Sequence, residues 1–378
     1  MNIRRSYIRL FTLLTGLALC ITFLGSSCAF AETVSKPDRW QNEYQAYGRT
    51  IKIDTEITVP EKAVFPVLAV KEMPELSSEK VSEYQELFDA MDKTGDHAVF
   101  RSKKNEIYIS YSDHKGHPDL ADPGKVTTPA RLLLEYDGDK AYAEDNDLSV
   151  NEALDLVRKN IQMIWPSADF RIQDIVLYDR TKYRKSGKKL DDKGTYSLFC
   201  IQMIDGIPVA ATIHDAYRHE RTKHDFIMSH HGNAYASVTD PNDFSSSYYL
   251  WNKASELGTP DRLLPFDAVI PAIEEMIMSG NIRCVHHIYW GYAQYDLPEG
   301  SKYEYVLVPA WVVWVDWADD SMEELDEDAV NGTGFYTESY YYKPIIVNAV
   351  TGKATNPNDE SEGRMLLPES YMQWVEGY

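Results

Sequence analysis

Three histidines, His214, His219 and His224, recur at intervals of five residues, and Glu220 follows the second. Imidazole and carboxylate are the ligand and general-base set of a zinc hydrolase. His219-Glu220-Arg221-Thr222-Lys223-His224 is one residue too long for His-Glu-x-x-His. The zinc motif depends on two rings sharing a helical face at i and i+4. At i and i+5 the rings diverge by about 140° on a helix and take opposite faces of a strand. Only a loop would gather His214, His219 and His224 on a metal, with His230 and His231 close in sequence. The plainer expectation is a polar loop of exposed histidines, with no metal and no other cofactor.

Two further groupings have the residue types for binding. Eight carboxylates lie between Asp316 and Asp328, a density that suits calcium. The EF-hand order fails, however, because Asn331 stands where the loop glycine belongs if Asp326 opens the loop. A solvated acidic insert is the default. Trp311, Trp314, Trp317 and Tyr340–Tyr342 have the aromatic surface for a glycan or peptide platform, but along a strand Trp314 faces away from Trp311 and Trp317. Most of these rings are expected in the core, and His286 and His287, in a strand, are expected as packed or edge residues, not bases. The chain has no Gly-x-Ser-x-Gly elbow, phosphate-binding glycine loop or Cys–His signature. Paired carboxylates for glycoside hydrolysis are a matter of separation in space, which spacing along the chain does not give. The expectation is a protein that is not an enzyme, with no catalytic residue.

The 378-residue chain has 59 acidic and 38 basic residues, a formal net charge of −21. Phosphate backbones need a positive face, so nucleic acid is not an expected partner, and an anionic membrane surface is disfavoured likewise. Arg4, Arg5 and Arg9 precede the apolar run Leu10–Leu24, and Ala29-Phe30-Ala31 fits a small-residue cleavage site. This is the layout of a secretory signal peptide over residues 1–31, cut after Ala31. The apolar run is shorter than the roughly 20 residues of a spanning helix. Gly25-Ser26-Ser27-Cys28 resembles a lipobox, although Gly25 replaces the usual leucine. Release after Ala31 is therefore expected first, with lipidation at Cys28 as the alternative and a lipid anchor as the only membrane contact. Export permits a disulfide between Cys200 and Cys284; two small buried hydrophobes are the plainer reading.

The elements that would position such residues follow from periodicity. Residues 32–48 read as a polar linker. Thr50–Val59 alternates as a half-wet strand, Val64–Val70 is a strand whose Pro66 suggests a sheet edge, and a helix runs from Ser77 or Ser78 to about Met91. Glu106–Tyr111 and Arg131–Tyr136 are further strands. Ser149-Val150-Asn151-Glu152 is a capping box opening an amphipathic helix. Arg171–Tyr178 follows as a strand, and Tyr196–Ile204 and Ile207–Ile213 flank the hairpin signal Asp205-Gly206. Asp240–Asp261 is turn-rich. A helix containing Pro271 begins near Pro265, and three strands follow: Ile282–Tyr295, Tyr303–Trp317 and Lys343–Val350. The third of these ends in Thr351-Gly352-Lys353. The expected fold class is α+β, antiparallel sheets each covered by a helix. The units span residues 49–148, 149–240 and 241–355, with a polar tail over 356–378.

Helix, strand, then Tyr-x-x-x-Pro-Ala-Trp-x-Val (Tyr305–Val313) and Ile-Val-Asn-Ala-x-Thr-Gly-Lys (Ile346–Lys353) resemble the PepSY-type module. Phe199–Ala210 is similar to its middle hairpin. The resemblance implies two or three PepSY-like or cystatin-like units in an exported protein, secreted or lipid-anchored on the outer face of the cytoplasmic membrane. It further implies a non-catalytic role, binding or regulating a protein or peptide partner at the cell envelope, and it supplies no catalytic residues. An extracellular, metal-assisted hydrolase and a glycan-binding surface protein are the alternatives.

Overall fold

The computed structural model describes residues 34–46, 48–62, 64–91, 98–103, 106–111, 127–132, 148–179, 182–183, 189–191, 194–210, 232–279, 282–297, 301–303, 305–317 and 344–355. The expected signal peptide, with Cys28 and Ala31, and the tail 356–378 lie outside them. In chain order the first elements are β1 (Arg39–Ala46), β2 (Arg49–Thr58), β3 (Val67–Glu72), helix α1 (Ser78–Met91), β4 (Ala98–Lys103), β5 (Glu106–Tyr111) and β6 (Thr127–Leu132). Helix α2 (Val150–Gln162) leads into β7 (Phe170–Asp179), the short pair β8 (Lys182–Tyr183) and β9 (Lys189–Asp191), β10 (Gly194–Ile204), β11 (Ile207–Pro208) and β12 (Asn233–Asp240). Then come β13 (Asp243–Tyr249), β14 (Trp251–Gly258), α3 (Phe266–Ser279), β15 (Ile282–Asp296), β16 (Tyr305–Trp317), β17 (Ile345–Asn348) and β18 (Ala354–Thr355).

Strand dominates, with three helices among the described residues, so the fold is α+β in composition. The strands form two large sheets. The first runs β1-β2-β15-β16-β17-β18, with β3 joining β16 to β14; the second runs β4-β5-β13-β12-β10-β7-β6. Side chains alternate across a strand, and the long strands bury both faces. On β15, Ile288 and Trp290 pack with Val269, Ile273 and Ile277 of α3, while Tyr289 and Ala293 pack with Phe199 and Ile201 of β10. The opposite face of β10 carries Leu198 and Cys200 against Val157 and Ile161 of α2. The two sheets therefore face each other through a core of their own, with helices on the outer sides.

This arrangement departs from the expected helix-covered units. The first sheet is mixed, because β15 pairs parallel with β2 at Ile288–Ile57 and Tyr289–Thr58. The strands of 49–148 are divided: β2 and β3 join the first sheet, β4, β5 and β6 the second. The expected boundary at 240/241 falls inside the β12–β13 hairpin, whose turn is closed by Asp240 Oδ1 accepting from the Asn242 and Asp243 amides at 2.7 and 3.0 Å. Alternation tells which face of a strand is wet but not which strand it will pair with.

Three local expectations change for physical reasons. The expected linker contains β1, which pairs with β2 over its whole length. Its Trp40 packs edge-on to Phe266 at 5.7 Å, and Tyr44 Oη donates to Glu274 Oε1 on α3 at 2.6 Å. It looks polar because, as a sheet edge, it buries few residues. Residues 240–261 hold β13 and β14 instead of a run of turns; in β13, Phe244, Ser246 and Tyr248 point inward and small serines disguise the alternation. Pro66 does not mark an edge, since β3, which starts one residue later, is paired on both sides by β14 and β16.

Several sequence signals are seen as expected. Ser149 and Glu152 close the capping box, with Ser149 N donating to Glu152 Oε2 at 2.7 Å and Glu152 N to Ser149 Oγ at 3.3 Å. Asp205 and Gly206 both take positive φ, 52° and 77°, as a two-residue hairpin turn requires. In the Ile346–Lys353 stretch, buried Asn348 accepts from the amides of Val350 and Thr351 at 2.9 and 3.0 Å and donates to Tyr295 Oη at 3.2 Å. One side chain thus shapes the final turn and ties it to β15. Pro309 sits mid-strand in β16, and its carbonyl accepts from Ala349 N at 3.0 Å. Its ring nitrogen faces that same edge, where β16 passes from β3 to β17, so no ladder bond to β15 is lost.

The hairpin β10–β11 bridges the two sheets. Ala210 N donates to Tyr292 O at 2.7 Å, and the Gln202 side chain donates to Trp251 O and accepts from Trp251 N, both at 2.9 Å. A Cβ at Gly291 would lie 2.6 Å from Pro208 O, a backbone atom with little room to yield. Gly291→Ala is expected to destabilise the protein by about 1–3 kcal/mol, read as a lower urea midpoint with an unchanged slope.

Candidate functional site

The expected metal candidates His214, His219 and His224 lie outside the described residues, as do His230, His231 and Tyr340–Tyr342. Of the acidic run, Asp316 lies opposite Cys284 near the end of β16, and the residues from 318 to 328 lie outside. Among the described residues no three His, Cys, Asp or Glu side chains gather as a metal site would need. Cys200 and Cys284 are both free and belong to different sheets. Cys200 lies in the helix-side core of the second sheet, where burial pushes its thiol up to about 12. Cys284 Sγ lies 3.7 Å from His286 Nδ1.

Two rings of the expected aromatic platform, Trp311 and Trp314, are interior. Trp311 is fully buried, edge-on to Trp290 at 4.9 Å and to Phe266 at 5.2 Å, with its Nε1 donating to Leu264 O at 3.0 Å. Trp314 faces the other way and stacks on Phe199 between the sheets at 6.0 Å. The opposite orientation follows from the period of the strand, and the stacked sheets make both sides interior.

Polar groups instead meet between the sheets. Arg171 and Gln173 of β7 face His287 and Tyr289 of β15. The Arg171 guanidinium lies over the Tyr289 ring, 4.1 Å from its centroid, and Arg171 Nη2 is 3.5 Å from Gln173 Oε1. The His287 and Tyr289 rings are 5.5 Å apart, and His287 Nε2 is 3.4 Å from Thr58 Oγ1. Both strands are irregular here. Phe199 and Cys200 oppose Asp174 and Ile172, leaving Gln173 as an extra, unopposed residue. Val285 and His287 oppose Val315 and Trp314, leaving His286 extra. Such bulges re-aim side chains and favour functional sites.

Burial governs the electrostatics of this cluster. His287 is pushed from 6.5 down to about 3, first by desolvation and then by the Arg171 charge, so its ring is neutral. Tyr289 is pushed up to about 12 by burial, against the pull of the neighbouring guanidinium. Arg171 is itself lowered by desolvation. With one fixed cation, a neutral imidazole and a protonated phenol, the cluster is built to donate hydrogen bonds to an acceptor. Nothing in the spacing signalled it: Arg171-Ile172-Gln173 reads as the wet face of an alternating strand, and only the stacking of the second sheet turns that face inward.

No known family matches the chain, and no curated protein does either. The fold is similar to that of an uncharacterized protein from Eubacterium rectale, with a TM-score of 0.48 and 14% identity, over 85% of this chain and 94% of that one. Likeness at that level says nothing of function.

Because the unfolded chain protonates His287 before the folded one does, stability is expected to fall as pH drops from 6.5 toward 3. Urea midpoints measured between pH 6.5 and about 4 should decline more steeply for the wild type than for His287→Gln. Parallel declines would show that this ring does not titrate with unfolding.

Proposed function

We propose that the protein is an exported, non-catalytic cell-envelope protein that binds or restrains a protein or peptide partner through a framework of PepSY-like halves. The observation behind this reading is an order repeated in both sheets. Helix α2 is followed by β7, β10 and β12, which lie side by side as an antiparallel meander. Helix α3 is followed by β15, β16 and β17 in the same arrangement. Each helix packs on the outer face of its own meander. The Asp205-Gly206 hairpin belongs to one half, and the Tyr305–Val313 strand and the Asn348 turn to the other; all three lie in stretches where the sequence resembles the module.

The residue types fit a binding role. Among the described residues the largest aromatic rings fill the cores. The ion pairs Lys36–Asp38, Lys80–Glu83 and Lys253–Asp205 are at or near the surface, where such pairs contribute little to stability. The chain's formal net charge of −21 suits solubility and partners with basic faces.

Crosslinking of the mature chain in intact envelopes should capture one dominant protein, which then binds the purified chain in isothermal titration. Absence of such a partner, combined with turnover on a panel of peptide, ester and glycan substrates, would overturn the reading. Mass spectrometry of the mature chain should find a start at Glu32, or a lipidated Cys28; a chain retaining its first residues in the cytosol would remove the export claim.

A further inference from the structure

In the cluster between β7 and β15, Arg171 Nε, Gln173 Nε2 and the Tyr289 hydroxyl proton find no acceptor among the described residues, although the guanidinium also interacts with the Tyr289 oxygen. Gln173 is 2% exposed and Tyr289 fully buried, whereas Arg171 and His287 are only half-buried. Gln173 and Tyr289 are thus the deeper members of the cluster, and Arg171 and His287 the shallower ones. Among the described residues no carboxylate pairs with Arg171. Buried polar groups are satisfied in nearly all folded proteins, and an arginine stays charged at any working pH. A cation would be repelled by Arg171, and a water molecule would leave its charge uncompensated. An anion that accepts hydrogen bonds would supply both the acceptor and the opposite charge that these donors call for.

We propose that Arg171, Gln173 and Tyr289 form a binding site for a single carboxylate between the two sheets. A carboxylate is favoured over a phosphate because its single charge balances the one cation present, His287 being neutral. Its two oxygens offer about four lone-pair sites for the three donors. The guanidinium is held by stacking on the Tyr289 ring and by its contact with Gln173 Oε1, so Nε is left directed to a ligand. Gln173 is the unopposed residue of the β7 bulge, which brings its amide beside the guanidinium. The carboxylate is borne by a free small acid or by the end of a peptide chain; the chemistry at the three donors is the same. The site does not depend on the envelope reading, and its failure would leave the repeated framework intact.

The test is thermal unfolding of the full mature chain as sodium acetate replaces sodium chloride at constant ionic strength. The wild type should show a saturable rise in Tm of about 2–4 °C. Arg171→Met and Gln173→Leu should lose that response. Without acetate, Arg171→Met should melt no lower than the wild type, because it removes a partly buried charge with no carboxylate partner among the described residues. Should Arg171→Met fail to fold, Arg171→Lys keeps the charge without the planar fork and should show a weaker response. A tripeptide with a free C-terminus and its amidated twin separate the sources. A response to the free-ended peptide at concentrations well below those needed for acetate indicates a chain end; equal potency indicates a free acid. An acetate shift equal in the wild type, Arg171→Met and Gln173→Leu, or no shift in the wild type, overturns the proposal.

Discussion

The antiparallel pair β15–β16 is the constraint on which the rest of the structure depends. It is the longest ladder in the protein, running from the Ile282–Trp317 pair to Asp296–Tyr305, and both of its faces are interior. One face takes α3; the other takes the second sheet. Strands buried on both faces must be apolar almost without a break, which explains the run Val306-Leu307-Val308-Pro309-Ala310-Trp311-Val312-Val313-Trp314-Val315. The edges of the pair are as constrained as its faces. β2 and then Ala210 approach the β15 edge, and β3 and then β17 approach the β16 edge. Gly291 and Pro309 stand at these changes of partner, one lacking a side chain where a carbonyl comes close and the other lacking an N–H.

Stacking two sheets has a cost that single-sheet units avoid. A strand face that would meet water beside one sheet becomes an inner face beside two, and its polar residues must be satisfied there. Gln202 meets this demand by pairing with both backbone groups of Trp251, in effect adding one rung to a ladder between sheets. Arg171 Nε, Gln173 Nε2 and Tyr289 Oη do not meet it among the described residues. Stacking on Tyr289 offsets part of the cost for Arg171, since a desolvated cation gains from a ring face, but the remaining donors still need an acceptor. The neutrality of His287 has the same origin: a second positive charge beside Arg171 in a dry layer would be costly.

The repeated helix-and-meander order relates the halves without making them independent. α2 and α3 occupy equivalent places, and each meander alternates between a helix-facing and a sheet-facing side. The N-terminal strands are shared out between the halves, and β11 of one half reaches the first sheet. Unfolding of one half would therefore expose the interlayer face of the other, so cooperative loss of both is the expected behaviour.

Residue order alone determined the local pieces of this protein. The capping box at Ser149, the left-handed pair Asp205-Gly206, the amphipathic face of α2 and the unbroken apolar run of β16 rest on contacts within a few residues, and such contacts leave a pattern of spacing. The partners of each strand were decided only in three dimensions. β1 was hidden because an edge strand buries few residues, β13 because serines at 245–247 interrupt the apolar alternation of Phe244 and Tyr248, and the division of the N-terminal strands because alternation carries no information about pairing. The polar cluster was invisible for the same reason. Arg171 and Tyr289 stand more than a hundred positions apart, and the charge, orientation and dryness that bring them together arise only when one sheet closes over the other.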